Sequence, residues 1–249
     1  MKIDLIPYYF PGCEAHYEPS EICFLIDVYR ASSMMVALAH CGAEKIFLAA
    51  GVSAAERWKE RHPEVLLYGE RGGFAPPGFD GGNSPSELET RSLTGRSVVL
   101  ATSNGSRAAV GFGYGAGRMV ALSLVNLKAA VSWIERNLAF GAREGKRVAV
   151  LCSGSQNRFS MEDFCVAALF WNSLKQYDEE TETDEKALAA SIVERLQDEF
   201  QIRTVFNGTT HAKTLRRQGF QKDLDWILHH YNRMSILPEV TLLKTDSTD

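Results

Sequence analysis

Residues 22–28 read Ile22-Cys23-Phe24-Leu25-Ile26-Asp27-Val28, six apolar side chains and one carboxylate with no polar–apolar alternation. A run this short and this uniformly apolar reads as a strand covered on both faces, as in a parallel sheet sandwiched between helices. Asp27 and Arg30 stand at its end, and a helix is expected from about residue 33 to 41, stopped by Gly42. Outward from this stretch the same grammar repeats. Residues 2–6 read as an edge strand, 45–50 (KIFLAA) as a strand followed by a helix capped by Ser53, and 65–68 as a short strand. Further strands are expected at 97–101 (SVVLA), 119–125 (MVALSLV) and 147–151 (RVAVL), with helices from Asn126 to about residue 140 and from 161 to 177. Beyond 177 the pattern is helical, near 185–199, 208–218 and 222–232, and the tail after Pro238 is expected to fray. The alternation predicts an α/β protein, a three-layer α/β/α fold with a mostly parallel mixed sheet and extra helices at the C-terminus. Residues 1–249 are expected to form one domain.

Composition narrows the class. Hydrophobic residues make up 45% and charged residues 23%, as in ordinary globular chains. The net charge is −4, and the run DEETETDE at 178–185 alone carries six acidic residues. Setting these aside leaves 25 acidic residues of the 31 against 27 basic ones. The run reads as a solvated connection or a helix start inside the domain. No basic face suited to nucleic acid is visible, no apolar stretch has the length of a membrane span, and the N-terminus MKIDLIPYYF lacks signal-peptide order. Five cysteines without a C-x-x-C pair fit a reducing compartment, so a cytoplasmic location is expected.

The stretch 69–87, GERGGFAPPGFDGGNSPSE, holds six of the twenty glycines and three of the eight prolines, so it is a loop. It carries Glu70, Arg71, Asp80, Asn83 and Ser84 on backbone able to approach a ligand closely. In open α/β sheets ligands sit beyond the carboxyl ends of the strands. Four such ends carry chemistry: Asp27 with Arg30; Glu70 with Arg71; Thr102 with Asn104, Gly105 and Arg107; and Ser153 with Arg158, Glu162 and Asp163. Each has a bland alternative. Asp27 could cap the next helix or pair with Arg30, and Glu162 and Asp163 suit a helix first turn behind Ser160. Asn104-Gly105-Ser106 is an amide cradle for an anionic oxygen or a plain turn and cap. Cys152 and Arg158 have the C-x5-R spacing of cysteine phosphatases, and Cys152 also reads as a buried strand residue. His211 opens a helix and is a base or a structural residue. No Walker loop, G-x-G-x-x-G or H-x-x-x-H is present.

Taken together, D-V-Y-R-A-S-S (27–33), G-E-R-G-G (69–73), G-F-D-G-G-N-S-P-S-E (78–87), T-S-N-G-S-R-A (102–108), and C-S-G with F-S-M-E-D (152–163) resemble the successive motifs of the 2-phosphosulfolactate phosphatase family. The likeness extends from about Ile3 to Pro238, with His211, Leu215, Gly219 and Asp223 resembling its C-terminal pattern. Tyr29, Ser32, Gly81, Ser103 and Ser106 depart from that pattern. The resemblance implies a magnesium-dependent phosphatase that converts 2-phospho-3-sulfolactate to 3-sulfolactate and phosphate, a step of coenzyme M biosynthesis, on an α/β/α fold. It leaves a homodimer open. A substrate with about four negative charges calls for cations and amide donors, for which Arg30, Arg71, Arg107 and Arg158, with Asn83, Ser84, Asn104, Gly105 and Ser153, are the candidates. Asp27, Glu70 and Asp80 are the candidate Mg²⁺ ligands, and Glu162 or Asp163 the candidate for orienting the attacking water, with Asp27 and Glu70 also counted as catalytic. The alternatives are thiolate catalysis through Cys152 and Arg158, and a non-catalytic protein binding a small organic anion.

Overall fold

Strand β2 (Ile22–Ile26) is buried at every position and has a strand neighbour along each edge. It pairs in parallel with β7 (Arg147–Cys152) on one side and β6 (Met119–Leu122) on the other. Strand β1 (Lys2–Ile6) closes the far edge on β7, giving the order β1-β7-β2-β6. A second four-stranded parallel sheet has the order β4-β5-β3-β8, from β4 (Leu66–Gly69), β5 (Ser97–Ala101), β3 (Lys45–Ala49) and β8 (Val240–Leu242). The computed structural model describes residues 1–113, 116–137, 145–180 and 182–243. The outer end of the helix expected to reach residue 140, residue 181 of the acidic run and the last six residues of the tail therefore lie outside the described residues.

Helices cover both faces, completing three α/β/α layers. Helices α1 (Ala31–His40) and α3 (Gly105–Phe112) each touch β2 and β3, so they bridge the two sheets. Helix α2 (Val52–Arg61) covers β3, β4 and β5, and α4 (Leu127–Asn137) packs on α5 (Met161–Leu174), which lies on β2 and β7. The centre of that contact is Phe24 against Phe170, with ring centroids 4.6 Å apart. Among the described residues no helix is long and apolar enough to cross a membrane.

Three expectations are corrected. Residues after Pro238 do not simply fray: Val240–Leu242 adds to the sheet beside β3, with an antiparallel bridge from Glu239 to Val120 of β6. The helix expected over 185–199 ends early, as α6 (Asp184–Val193), and a further helix, α7 (Glu199–Gly208), occupies residues where none was expected, because Asp198 accepts from Gln201 N at 2.8 Å and caps it. The acidic run is not wholly solvated. The Asp178 side chain is buried and receives Lys186 Nζ at 2.8 Å, Trp171 Nε1 at 3.0 Å and Ile3 N at 3.1 Å. Thr209 then ends α7 and caps α8 (Thr210–Arg217) through Ala212 N, and α9 (Gln221–His229) follows.

Candidate active site

The segments that follow β2, β4, β5 and β7, with the start of α8, enclose a cavity of about 680 Å³, within the roughly 300–1,000 Å³ of small-molecule sites. The residues singled out from the sequence that line it include Asp27, Arg30, Glu70, Asn83, Thr102, Asn104, Arg158, Glu162 and His211.

Asp27 sits one residue past β2, where the strand hands over to α1. Its Oδ1 accepts from Ala31 N at 3.2 Å and its backbone N–H donates to Ser32 Oγ, so it does cap α1. Its Oδ2 makes no hydrogen bond among the described residues and faces Gly105, where an added Cβ would stand 3.0 Å from it and 2.9 Å from Ala31 Cβ. Only glycine leaves that space open. Burial, seconded by the charges of Glu70 and Glu162, pushes the Asp27 carboxyl up to about 6, against the opposing pull of His211 and the Ala31 amide. Glu70 is held by two backbone amides, Gly73 N on Oε2 at 2.8 Å and Ser103 N on Oε1 at 2.7 Å. Gly69 lets its strand reach that point: at φ 153° it runs so close to β5 that a Cβ would meet Ala101 O at 2.1 Å.

Arg30 is buried, donating from Nη1 to Asp223 Oδ2 at 2.7 Å and from Nη2 to Gly73 O at 2.8 Å, with Phe220 stacked 3.8 Å below its guanidinium. Asp223 Oδ1 also accepts from Ser84 Oγ and Ser86 Oγ, each at 2.6 Å, which locks the Gly-rich loop to α9. Asn104 accepts from Gln156 N at 3.2 Å across the mouth, and Arg158 is exposed there without an ion pair among the described residues. Asn83 is buried, and its side-chain oxygen has no partner among the described residues. Glu162 is 2% exposed and meets His211 Nδ1 at 3.0 Å.

Other candidates lie elsewhere. Asp80 is exposed, outside the cavity lining, and bonded to Leu67 N at 2.8 Å, so it pins the loop to β4 rather than joining Asp27 and Glu70. Asp163 accepts from Val28 N at 2.8 Å and Gly154 N at 3.2 Å, tying the chain after β2 to the chain after β7. Burial, then the charges of Asp27 and Glu162, raise its carboxyl well above the usual range. Ser84 serves Asp223, Arg71 is exposed at a loop bridge to Phe74, and Gly105, Arg107 and Ser153 stand outside the lining. Cys152 is fully buried and absent from the lining, and burial pushes its thiol well above the ordinary value, the reverse of what a nucleophilic cysteine needs.

The contributions of His211 and Asp223 depend on partners 49 and 193 residues away, and no local pattern marks such pairs. Among the described residues no cluster of three or more His, Cys, Asp and Glu is arranged to hold a metal. Magnesium does not require one, since it binds through one or two carboxylates with substrate phosphate and water. Asp27, with its uncommitted Oδ2, and Glu70 fit that pattern.

The family model described as "2-phosphosulpholactate phosphatase" matches residues 11–242. Relatives named "Probable 2-phosphosulfolactate phosphatase" include one from Deinococcus radiodurans, 31% identical over 226 residues and covering 91% of this chain and 87% of its own. Another from Carboxydothermus hydrogenoformans is 30% identical over 240 residues, 96% of this chain and 93% of its own. One from Thermus thermophilus is 29% identical, over 90% of this chain and 87% of its own.

Proposed function

The chain belongs to the 2-phosphosulfolactate phosphatase family, and from that premise we propose that it is a phosphoric monoester hydrolase that cleaves 2-phospho-3-sulfolactate to 3-sulfolactate and phosphate. Its expected place is the cytoplasm, where its five free cysteines stay reduced. The observation that carries the reading is the convergence of Asp27, Glu70 and Glu162 with Arg30, Arg158 and His211 on one cavity. A surface of carboxylates alone would repel a substrate with about four negative charges, and a surface of cations alone would bind it without a means of activation.

The chain's own groups divide the work. Arg158, free of other partners among the described residues, is available to the acidic groups of the substrate at the mouth. Arg30 supplies fixed positive charge from below, held by Asp223 and Gly73 O. Asn83 offers a buried acceptor for a proton of substrate or water, which orients whichever donor reaches it. Magnesium held by Asp27 and Glu70 would supply Lewis-acid neutralisation of charge on the phosphoryl oxygens.

The direct test is phosphate release from racemic 2-phospho-3-sulfolactate and from phospholactate at saturating Mg²⁺. Release from both is expected, with the phosphate ester that bears the sulfonate preferred about tenfold or more in kcat/KM, the worth of one charged contact. Thermal stabilisation by either ester with no phosphate produced would identify a binding protein instead. Cys152→Ala is expected to keep turnover within about threefold, since its sulfur lies outside the cavity; loss of turnover in a folded variant would restore the thiolate route.

A further inference from the structure

Two of the groups lining this cavity, Glu162 and His211, form a titratable pair of their own. His211 stands in the first turn of α8, whose start is fixed by Thr209 Oγ1 accepting from Ala212 N. Its Nδ1 lies 3.0 Å from Glu162 Oε1, and Glu162 is itself buried in the first turn of α5. A carboxylate on Nδ1 can only accept, so Nδ1 carries a proton in every state of the ring and Nε2 is the nitrogen that gains and loses one. Nε2 has no partner among the described residues, and the ring lines the cavity. The Tyr29 ring stands edge-on at 6.2 Å between centroids and limits rotation of the imidazole.

We propose that His211, oriented by Glu162, is the general acid that donates its Nε2 proton to the leaving oxygen of the phosphate ester. The inference rests on the phosphatase reading above and assigns a step within it. The bond from phosphorus to the ester oxygen breaks, and that oxygen keeps the electron pair and takes the Nε2 proton to become the product hydroxyl. Phosphorus gains the oxygen of a water molecule, and the proton shed by the resulting dihydrogen phosphate returns the imidazole to its charged form. An alkyl ester needs such a donor because an alkoxide is a poor leaving group at neutral pH.

The charges around the ring favour the loaded state. Burial works to lower the His211 pKa, but the hydrogen bond and charge of Glu162 from α5 and the charge of Asp27 beyond β2 outweigh it, and Arg30 opposes them weakly. The net shift is upward, so the ring is cationic further into the neutral range than a free histidine. Glu162 is in this account a positioning residue, because it acts through His211.

The test uses the full chain with saturating Mg²⁺ and any phosphate ester that the wild type turns over. His211→Gln is expected to lose about 10²-fold or more in kcat on an alkyl ester such as phospholactate. It should lose far less on phosphoenolpyruvate, whose enol oxygen leaves more readily. The wild-type profile of kcat against pH should fall on its alkaline side as Nε2 loses its proton, and His211→Gln should lack that limb. Glu162→Gln, which removes only a charge, should move the limb to lower pH and serves if His211→Gln does not fold. Equal losses on both esters, or an alkaline limb unchanged in both variants, would overturn the assignment. Absence of phosphate release by the wild type from every ester would instead overturn the phosphatase reading, and the assignment with it.

Discussion

Asp27→Asn is expected to abolish phosphate release, a loss of about 10³-fold or more, while making the metal-free protein more stable at pH 7–8. The two effects have one cause. Asp27 lies at the tip of a fully buried strand, and that burial, seconded by the charges of Glu70 and Glu162, raises its carboxyl to about 6. A carboxyl raised above its unfolded value of about 4 binds a proton more readily in the native state. Its contribution to stability is therefore fully present below pH 4 and is lost as pH rises through about 6. At pH 7–8 the ionised group is a net cost, on the order of 1–3 kcal/mol. Asparagine keeps the acceptor that caps α1 through Ala31 N and removes the charge. Thermal unfolding in EDTA at pH 5 and pH 8 checks the sign: the gain from Asp27→Asn should be larger at pH 8. A variant that loses both activity and stability at pH 8 would mark Asp27 as a structural residue.

Asp223→Ala is expected to be the most destabilising single change near the site. Removing this carboxylate leaves the Arg30 guanidinium buried without its partner and takes the acceptor from Ser84 Oγ and Ser86 Oγ. Breaking a buried pair of this kind costs about 3–5 kcal/mol, much of it the stranded charge. In a chain of this size that lowers Tm by roughly 10 °C. The loop carrying Asn83 would lose its tie to α9, so activity at a temperature where the variant remains folded should fall as well. Asp223→Asn, which keeps an acceptor for Arg30, should cost visibly less. A Tm within about 2 °C of wild type for Asp223→Ala would show that the loop is held by its other contacts, such as Glu70 to Gly73 N.

The sheet was legible because parallel strands buried on both faces leave an uninterrupted apolar run, as at Phe24, Leu25 and Ile26. Val240–Leu242 left no such trace. Three residues have little propensity of their own, and this strand is defined by its partner β3. The break between α6 and α7 has no glycine or proline and rests on one capping carboxylate, Asp198. For the site, segments following several strand tips line one cavity, since the segment following each carboxyl end in a parallel sheet opens on the same side. Which side chain faces inward was not legible. Asp80 and Asp163 have the same chemistry as Asp27, but both lie outside the cavity lining. The Glu162–His211 contact joins α5 to α8 and the Arg30–Asp223 contact joins the residue before α1 to α9, so only the packing of elements far apart in sequence brings each pair together.

The central claim is that carboxylates and cations from distant parts of the chain work together on one phosphate ester with a divalent ion. Phosphate release from 2-phospho-3-sulfolactate, measured with Mg²⁺, after chelation by EDTA and after Mg²⁺ is restored, tests it most directly. The account predicts release that stops on chelation and returns with the metal, and its absence throughout in Asp27→Asn. Release that continues undiminished in EDTA, or that persists in Asp27→Asn, would contradict it.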